Sequence, residues 1–140
     1  MNQAITKRSI FYIFPPFFYA VIITLLSSIP HEQEELFILF NFDKVLHLIE
    51  YFIFGYLFMR MFITSPGKVW SRYSGVFILL TGILFAAGDE WHQSFVPGRC
   101  SSVYDFLFDV SGVIIAAMAY RYVRYRVPVI RRIEERVEQI

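Results

Sequence analysis

Four long apolar stretches, separated by short polar connections, dominate the chain. They lie at about residues 9–29, 43–63, 73–90 and 103–120. Roughly 20 apolar residues are enough for a helix to cross the hydrocarbon core of a bilayer. The pattern therefore predicts an all-α fold, an integral membrane four-helix bundle formed by a single domain over residues 1–140.

The C-terminal tail, residues 121–140, has a different pattern. Beyond Pro128, apolar side chains recur at helical spacing between charged ones, at Val129, Ile130, Ile133, Val137 and Ile140. A helix with one apolar and one charged face lies in the plane of a membrane surface. The tail is therefore expected to form an amphipathic helix on the cytoplasmic surface.

The composition supports a membrane protein and excludes one class of partner. Hydrophobic residues make up 56% of the chain and aromatic residues 19%, more than soluble proteins usually contain. The net charge is only +1, and no basic stripe with interleaved aromatics is present, so nucleic acid is not an expected partner. Cys100 is the only cysteine and has no partner for an internal disulfide.

The basic residues predict how the bundle is oriented. Most of them lie at the two termini and in the second connection: Lys7, Arg8, Arg60, Lys68, Arg72, Arg121, Arg124 and Arg126. Cytoplasmic segments of membrane proteins carry an excess of Lys and Arg. Both termini are therefore expected in the cytoplasm. The first stretch is longer than the apolar part of a typical signal peptide, which favours an uncleaved anchor.

Charged residues gather where the third stretch ends and the fourth begins. This segment contains Asp89, Glu90, Gln93, Arg99, Asp105 and Asp109. Ionisable groups at the edge of a span are costly and persist mainly where they are paired, hydrated or functional. The segment is therefore the first candidate for a functional site. Arg99 either neutralises a neighbouring carboxylate or holds a phosphate or carboxylate of a ligand.

The second stretch contributes a matching polar face. At about 100° per residue, Asp43, His47 and Glu50 share one narrow stripe, with Tyr51 on its shoulder and Lys44 further round. The fourth stretch repeats this arrangement with Asp105 and Asp109. Deeper on that face, Gly112 and Ala116 form a small-xxx-small step that favours close helix packing.

These residue types allow catalysis, binding or both. His47 with Asp43 suits a general base, and Asp89, Glu90 or Asp105 suits an acid or metal ligand. Substrate contacts are expected from Lys44, Glu50, Tyr51, Gln93, Arg99 and Asp109. No cofactor motif is evident. His47 and the carboxylates could ligate a divalent metal, but no His-x-x-x-His spacing supports one. No activated nucleophile stands out. We expect Asp43, His47, Asp89, Arg99 and Asp105 to line one pocket.

Two sequence blocks resemble the VanZ-like family of bacterial membrane proteins. They read Asp43-Lys44-x-x-His47-x-x-x-Tyr51-x-x-x-Gly55, and Asp89-Glu90-x-x-Gln93-x-Phe95-x-Pro97-x-Arg99 followed by Asp105. The resemblance covers about residues 43–117. It implies a multi-pass protein of the bacterial cytoplasmic membrane, in a family whose namesake is linked to low-level resistance to the lipoglycopeptide teicoplanin.

One position departs from the family pattern, which usually has asparagine where this chain has Asp109. A carboxylate there needs a proton or a cationic partner such as Arg99 or Lys44. Two functions follow as alternatives. One is a binding or accessory protein for membrane lipids, a lipid-linked cell-wall intermediate or a lipoglycopeptide. The other is a hydrolase or transferase that acts on a lipid-linked phosphate with a His-Asp base.

Overall fold

A computed structural model describes residues 9–30 and 36–138, with side chains described for 10–30 and 43–136. Lys7 and Arg8, which enter the predicted orientation, lie outside these ranges, as do Ile140 and the side chain of Val137. The helices are α1 (Phe14–Ser27), α2 (Leu36–Ile63), α3 (Lys68–Arg72), α4 (Ser74–Gln93), α5 (Val103–Arg126) and α6 (Pro128–Glu138). A π-helical turn, Ser9–Ile13, precedes α1.

Four of these helices, α1, α2, α4 and α5, are long and apolar enough to cross a membrane, which confirms the predicted bundle. Their surfaces are arranged for lipid. Leu25, Leu84 and Met118 are 63%, 71% and 68% exposed, while Asp109 is fully buried. Apolar side chains that face outwards meet lipid, whereas ionisable groups turn towards the bundle interior.

Three of the spanning helices are longer than the sequence suggests. α2 begins at Leu36, before the predicted start at residue 43. α4 continues to Gln93, beyond the predicted end at residue 90, and α5 continues to Arg126 instead of residue 120. Backbone hydrogen bonds do not stop where side chains become polar, so a helix extends past its apolar stretch. Residues 121–126 therefore belong to α5. The tail helix α6 begins at Pro128, at a first helical position that proline suits.

The closest helix contact in the bundle joins α2 and α5 at glycines. A Cβ atom added to Gly112 would lie 2.5 Å from the backbone oxygen of Leu48, and one added to Gly55 would lie 2.9 Å from Val113 Cα. Only glycine lets the two backbones approach this closely. The predicted packing role of Gly112 and Ala116 is confirmed, since both are buried at this contact.

We call the two ends of the bundle by their charges. At the acidic end, α1 and α4 finish and α2 and α5 begin, near Asp89 and Asp105. The basic end lies opposite, near Arg60 and Arg124. There α6 is fastened by the buried Glu134, whose carboxylate accepts hydrogen bonds from Arg60 Nε (3.3 Å), from Tyr120 Oη (2.9 Å) and from Arg124.

Candidate functional site

A buried histidine–carboxylate pair joins α2 and α5 near the acidic end. His47 Nδ1 lies 2.9 Å from Asp109 Oδ1, and the two residues are 5% and 0% exposed. Asp109 lies one turn before Gly112, so the close contact of the two helices brings these side chains into hydrogen-bond range. The basic group beside Asp109 is thus His47, and neither Arg99 nor Lys44 pairs with it among the described contacts.

Further acids and one lysine surround this pair towards the end of the bundle. His47 Nε2 lies 4.0 Å from Asp43 Oδ1, one turn earlier on α2. Lys44 Nζ lies 3.4 Å from Asp105 Oδ1 on α5. The stripe predicted on α2 and the aspartate face predicted on α5 therefore meet. The ion pair between Lys44 and Asp105 offsets part of the negative charge.

Glu90 completes the group from α4. Its Oε2 accepts a hydrogen bond of 2.8 Å from the backbone N–H of Ser102, the N-cap residue of α5. Glu90, His47 and Asp109 each offer a potential ligand atom within 4.8 Å of the others. We call Asp43, Lys44, His47, Glu90, Asp105 and Asp109 the His47 cluster.

Three buried polar atoms have no hydrogen-bond partner in the part of the chain that the structure describes. They are Glu90 Oε1, Asp109 Oδ2 and the Tyr51 hydroxyl oxygen. The side chain of Tyr51 lies beside Asp89. Glu90 likewise lies beside the side chain of Ser101. A buried acceptor that lacks a hydrogen bond lowers the stability of the fold, and such atoms are commonly partners of a water molecule or an ion.

Asp89 belongs to a separate polar group, between α4 and α1. Its Oδ2 accepts hydrogen bonds of 3.0 Å from Ser27 Oγ and from Gln93 Nε2. We call Ser27, Asp89 and Gln93 the Asp89 cluster. It fastens the end of α1 to α4, and a second link lies at 2.9 Å between Ser28 Oγ and His92 Nε2.

Arg99 is not paired with a carboxylate among the described contacts, so the first of its two expected uses is not observed. Its guanidinium donates to the backbone oxygens of Leu26 (2.9 Å) and Ile29 (3.4 Å). A cation at this place satisfies carbonyls at the end of α1 and is favoured by the negative end of the helix dipole. Glu50 is half-buried one turn below His47, within electrostatic range of Arg99 and Asp89.

The five residues expected in one pocket are thus divided. Asp43, His47 and Asp105 lie together, Asp89 lies in its own cluster, and Arg99 lies against the end of α1. The sequence reading missed Ser27 and Ser102 as partners of the carboxylates. Ser102 carried one signal, because a serine directly before a helix is a favoured N-cap. Ser27 carried none.

A groove of about 180 Å³ lies next to the Asp89 cluster, between α1 and α4. Its walls are Thr24, Leu84, Phe85, Gly88, Asp89 and His92. Leu84 and Phe85 form the part nearer the middle of the bundle, and Asp89 and His92 form the part nearer the acidic end. Trp91 and Phe95, both 69% exposed, lie next along the chain.

One comparison with known proteins gives a match. The model of the family described as VanZ/LLP1 matches residues 3–124. This range includes α1, α2, α4, all but the last two residues of α5, and both polar clusters, so it is wider than the region 43–117 that carries the sequence resemblance. No curated protein and no solved structure matches the chain.

Proposed function

Because the chain belongs to the VanZ/LLP1 family, we propose that it is a cell-envelope protein that binds an amphiphilic or lipid-linked substrate at its acidic end. The groove between α1 and α4 is the observation that carries this proposal. It joins an apolar wall, which suits an acyl or isoprenoid chain, to the polar groups of Asp89 and His92. Ligand sites combine apolar walls with a few placed polar groups in this way.

The distribution of basic residues supports an orientation for this site. Arg60, Arg72 and Arg124 lie at the basic end, which the positive-inside rule assigns to the cytoplasm. Both termini then lie in the cytoplasm of a bacterium, and the bundle crosses its inner membrane. The groove then opens in the outer leaflet, where lipid-linked cell-wall intermediates and lipoglycopeptides are found.

The charges favour a particular kind of head group. Asp89 presents a carboxylate to the groove, while Arg99 is engaged with the end of α1 and Lys44 is paired with Asp105. Such surroundings attract hydroxyls and amines and repel a bare anion. We therefore propose a glycosylated or amine-bearing head. Lipid-linked sugars and acylated glycopeptides such as teicoplanin have this chemistry.

Gly88 offers a direct test of the groove. No atom lies within 4 Å of a Cβ built on it, so Gly88→Leu fills the groove without distorting α4. Displacement of two methylene groups from a ligand costs about 1.6 kcal/mol, which is about a tenfold loss of affinity. Ala87→Leu is the matched control, because Ala87 is exposed and lies outside the groove walls.

The measurement is twofold. Lipids that co-purify with each variant are identified by mass spectrometry, and teicoplanin susceptibility is compared in cells that express each variant. We expect Gly88→Leu to lose the co-purified lipid and any protection, while Ala87→Leu keeps both. Identical lipid content and susceptibility in the two variants would exclude the groove as the binding site.

A second candidate function, a hydrolase or transferase for lipid-linked phosphates, is favoured by the His47–Asp109 pair. A histidine oriented by a buried carboxylate is a suitable general base, and Glu90 lies near enough to act as an acid. The test is turnover of lipid phosphates and pyrophosphates by the purified protein, with and without chelator. We expect His47→Ala to abolish turnover while its helical content persists; an inert wild-type protein excludes this function.

A further inference from the structure

We propose that His47, Glu90 and Asp109 bind one divalent cation of the Zn²⁺ or Mn²⁺ type in the interior of the bundle. The inference goes beyond the proposed function, because the groove lined by Asp89 is a different place. The three side chains come from α2, α4 and α5, and each offers a ligand atom within 4.8 Å of the others.

The spacing suits a metal ion. Bonds from Zn²⁺ to nitrogen and oxygen are about 2.0–2.2 Å long, so two ligands on one ion are about 3.0–3.4 Å apart. His47 Nδ1 and Asp109 Oδ1 are separated by 2.9 Å. A cation that replaces the proton shared by these atoms therefore needs little movement of either side chain. The ligand atom of Glu90 lies within 4.8 Å of those of the other two residues, so this side chain would have to shift towards them to bind the same ion.

The unpartnered oxygens point to the same ligand. Glu90 is 7% exposed and Asp109 is 0% exposed, yet Glu90 Oε1 and Asp109 Oδ2 accept no hydrogen bond from a described residue. The other oxygen of Glu90 is already held by the backbone N–H of Ser102 at 2.8 Å. Ligands of metal ions are commonly oriented by such second contacts.

Charge also favours a cation. Two ionised carboxylates that are buried together repel each other, and His47 supplies at most one positive charge. A divalent ion bound by two carboxylates and a neutral imidazole gives a group with no net charge. Buried charges are tolerated when they are paired in this way or coordinate a metal. Mixed imidazole and carboxylate ligands suit Zn²⁺ and Mn²⁺ better than Ca²⁺.

A neighbouring set, Asp43, His47 and Asp105, is a weaker candidate for the same ion. Asp105 is already paired with the Lys44 ammonium at 3.4 Å, and the side chain of Asp43 is 37% exposed. A metal at this outer set must displace the lysine. Among the described residues, the inner set of His47, Glu90 and Asp109 has two oxygens that accept no hydrogen bond.

The test is direct metal binding. Purified protein in detergent is stripped with a chelator, equilibrated separately with Zn²⁺ and Mn²⁺, and assayed by elemental mass spectrometry. We expect one ion per chain in the wild type. Glu90→Gln, which keeps the side-chain volume, should weaken binding by more than about a hundredfold, since loss of a supporting contact alone costs 10–100-fold. Glu50→Gln, a matched control on α2, should bind as the wild type does. Asp43→Asn should lose less affinity than Glu90→Gln, because Asp43 contacts only the second ring nitrogen of His47.

Three results would overturn the inference. The first is a wild type that binds less than about a tenth of an ion per chain. The second is a loss of metal binding in Glu50→Gln equal to that in Glu90→Gln. The third is a loss of metal binding in Asp43→Asn while Glu90→Gln still binds the metal. If Glu90→Gln does not fold, the wild type decides, because a bound ion must raise its melting temperature by several degrees and no rise excludes the site. Gly88→Leu should retain the metal, so failure of the groove and failure of the metal site are distinguishable.

Discussion

The contact of α2 with α5 at Gly112 predicts a coupled loss of stability and of site geometry in Gly112→Ala. The added methyl would lie 2.5 Å from Leu48 O and 2.9 Å from Phe52 N, whereas ordinary contact begins at 3.4 Å. Both atoms belong to a helix backbone and cannot rotate away. The helices must therefore separate by about 0.9 Å at this level.

The energetic cost follows from this movement. Overpacking of a well-packed contact costs about 1–3 kcal/mol, while alanine gains about 1 kcal/mol over glycine in helix propensity. We therefore expect a net loss of up to about 2 kcal/mol. The same movement stretches the 2.9 Å contact of His47 with Asp109 towards 3.8 Å, beyond hydrogen-bond range.

Thermal unfolding in detergent measures the first effect, and metal affinity measures the second. Gly88→Ala is the matched control, because the same change meets no atom within 4 Å and should stabilise the protein through helix propensity alone. The reasoning is refuted if Gly112→Ala melts as high as Gly88→Ala, or if it melts lower with unchanged metal binding.

Three further predictions concern polar contacts. Glu134→Ala should lower the stability by about 2–3 kcal/mol in thermal unfolding, because Arg60 and Arg124 lose a buried acceptor. The control is Glu135→Ala, which alters an exposed pair with Arg131 and should leave the melting temperature unchanged. Equal melting temperatures for the two variants would contradict this prediction. Arg99→Ala should lower the free energy of unfolding by about 1 kcal/mol without changing the co-purified lipid, since Arg99 donates hydrogen bonds to carbonyls of α1. Loss of the lipid at unchanged stability would instead indicate that Arg99 contacts an anion of the lipid. Ser102→Ala should remove the side-chain cap of α5 at a cost of about 1 kcal/mol. The variant keeps the backbone N–H that donates to Glu90. The melting temperature should therefore fall, while the metal affinity stays within about threefold of the wild-type value.

The sequence predicts what depends on spacing within one helix. The period of the apolar residues located the four spans, and the same period placed His47 with Asp43 and Asp109 with Gly112 on shared faces. Length and hydrophobicity decide these features locally. The match of the α2 stripe with the α5 face was expected from the membrane, since ionisable groups turn inwards.

Features that depend on how helices meet were not predictable in this way. Asp89 lies only one residue from Glu90, a rotation of about 100° on a helix, and so faces α1 while Glu90 faces α5. The sequence reading placed both in one pocket, because spacing does not tell which neighbour each face meets. Arg99 reaches carbonyls of Leu26 and Ile29, about 70 residues away, and backbone acceptors leave no trace in a sequence.

Glu134 also bears on the order in which the bundle assembles. It lies in α6, after all four spans, yet its side chain joins Arg60 of α2 with Tyr120 and Arg124 of α5, and its backbone oxygen accepts from Tyr12. A chain is synthesised from its N-terminus, so the four spans are complete before this residue leaves the ribosome. Until then the cations at the ends of α2 and α5 lack their buried acceptor. We therefore expect the basic end of the bundle to close last, after the four spans have been synthesised.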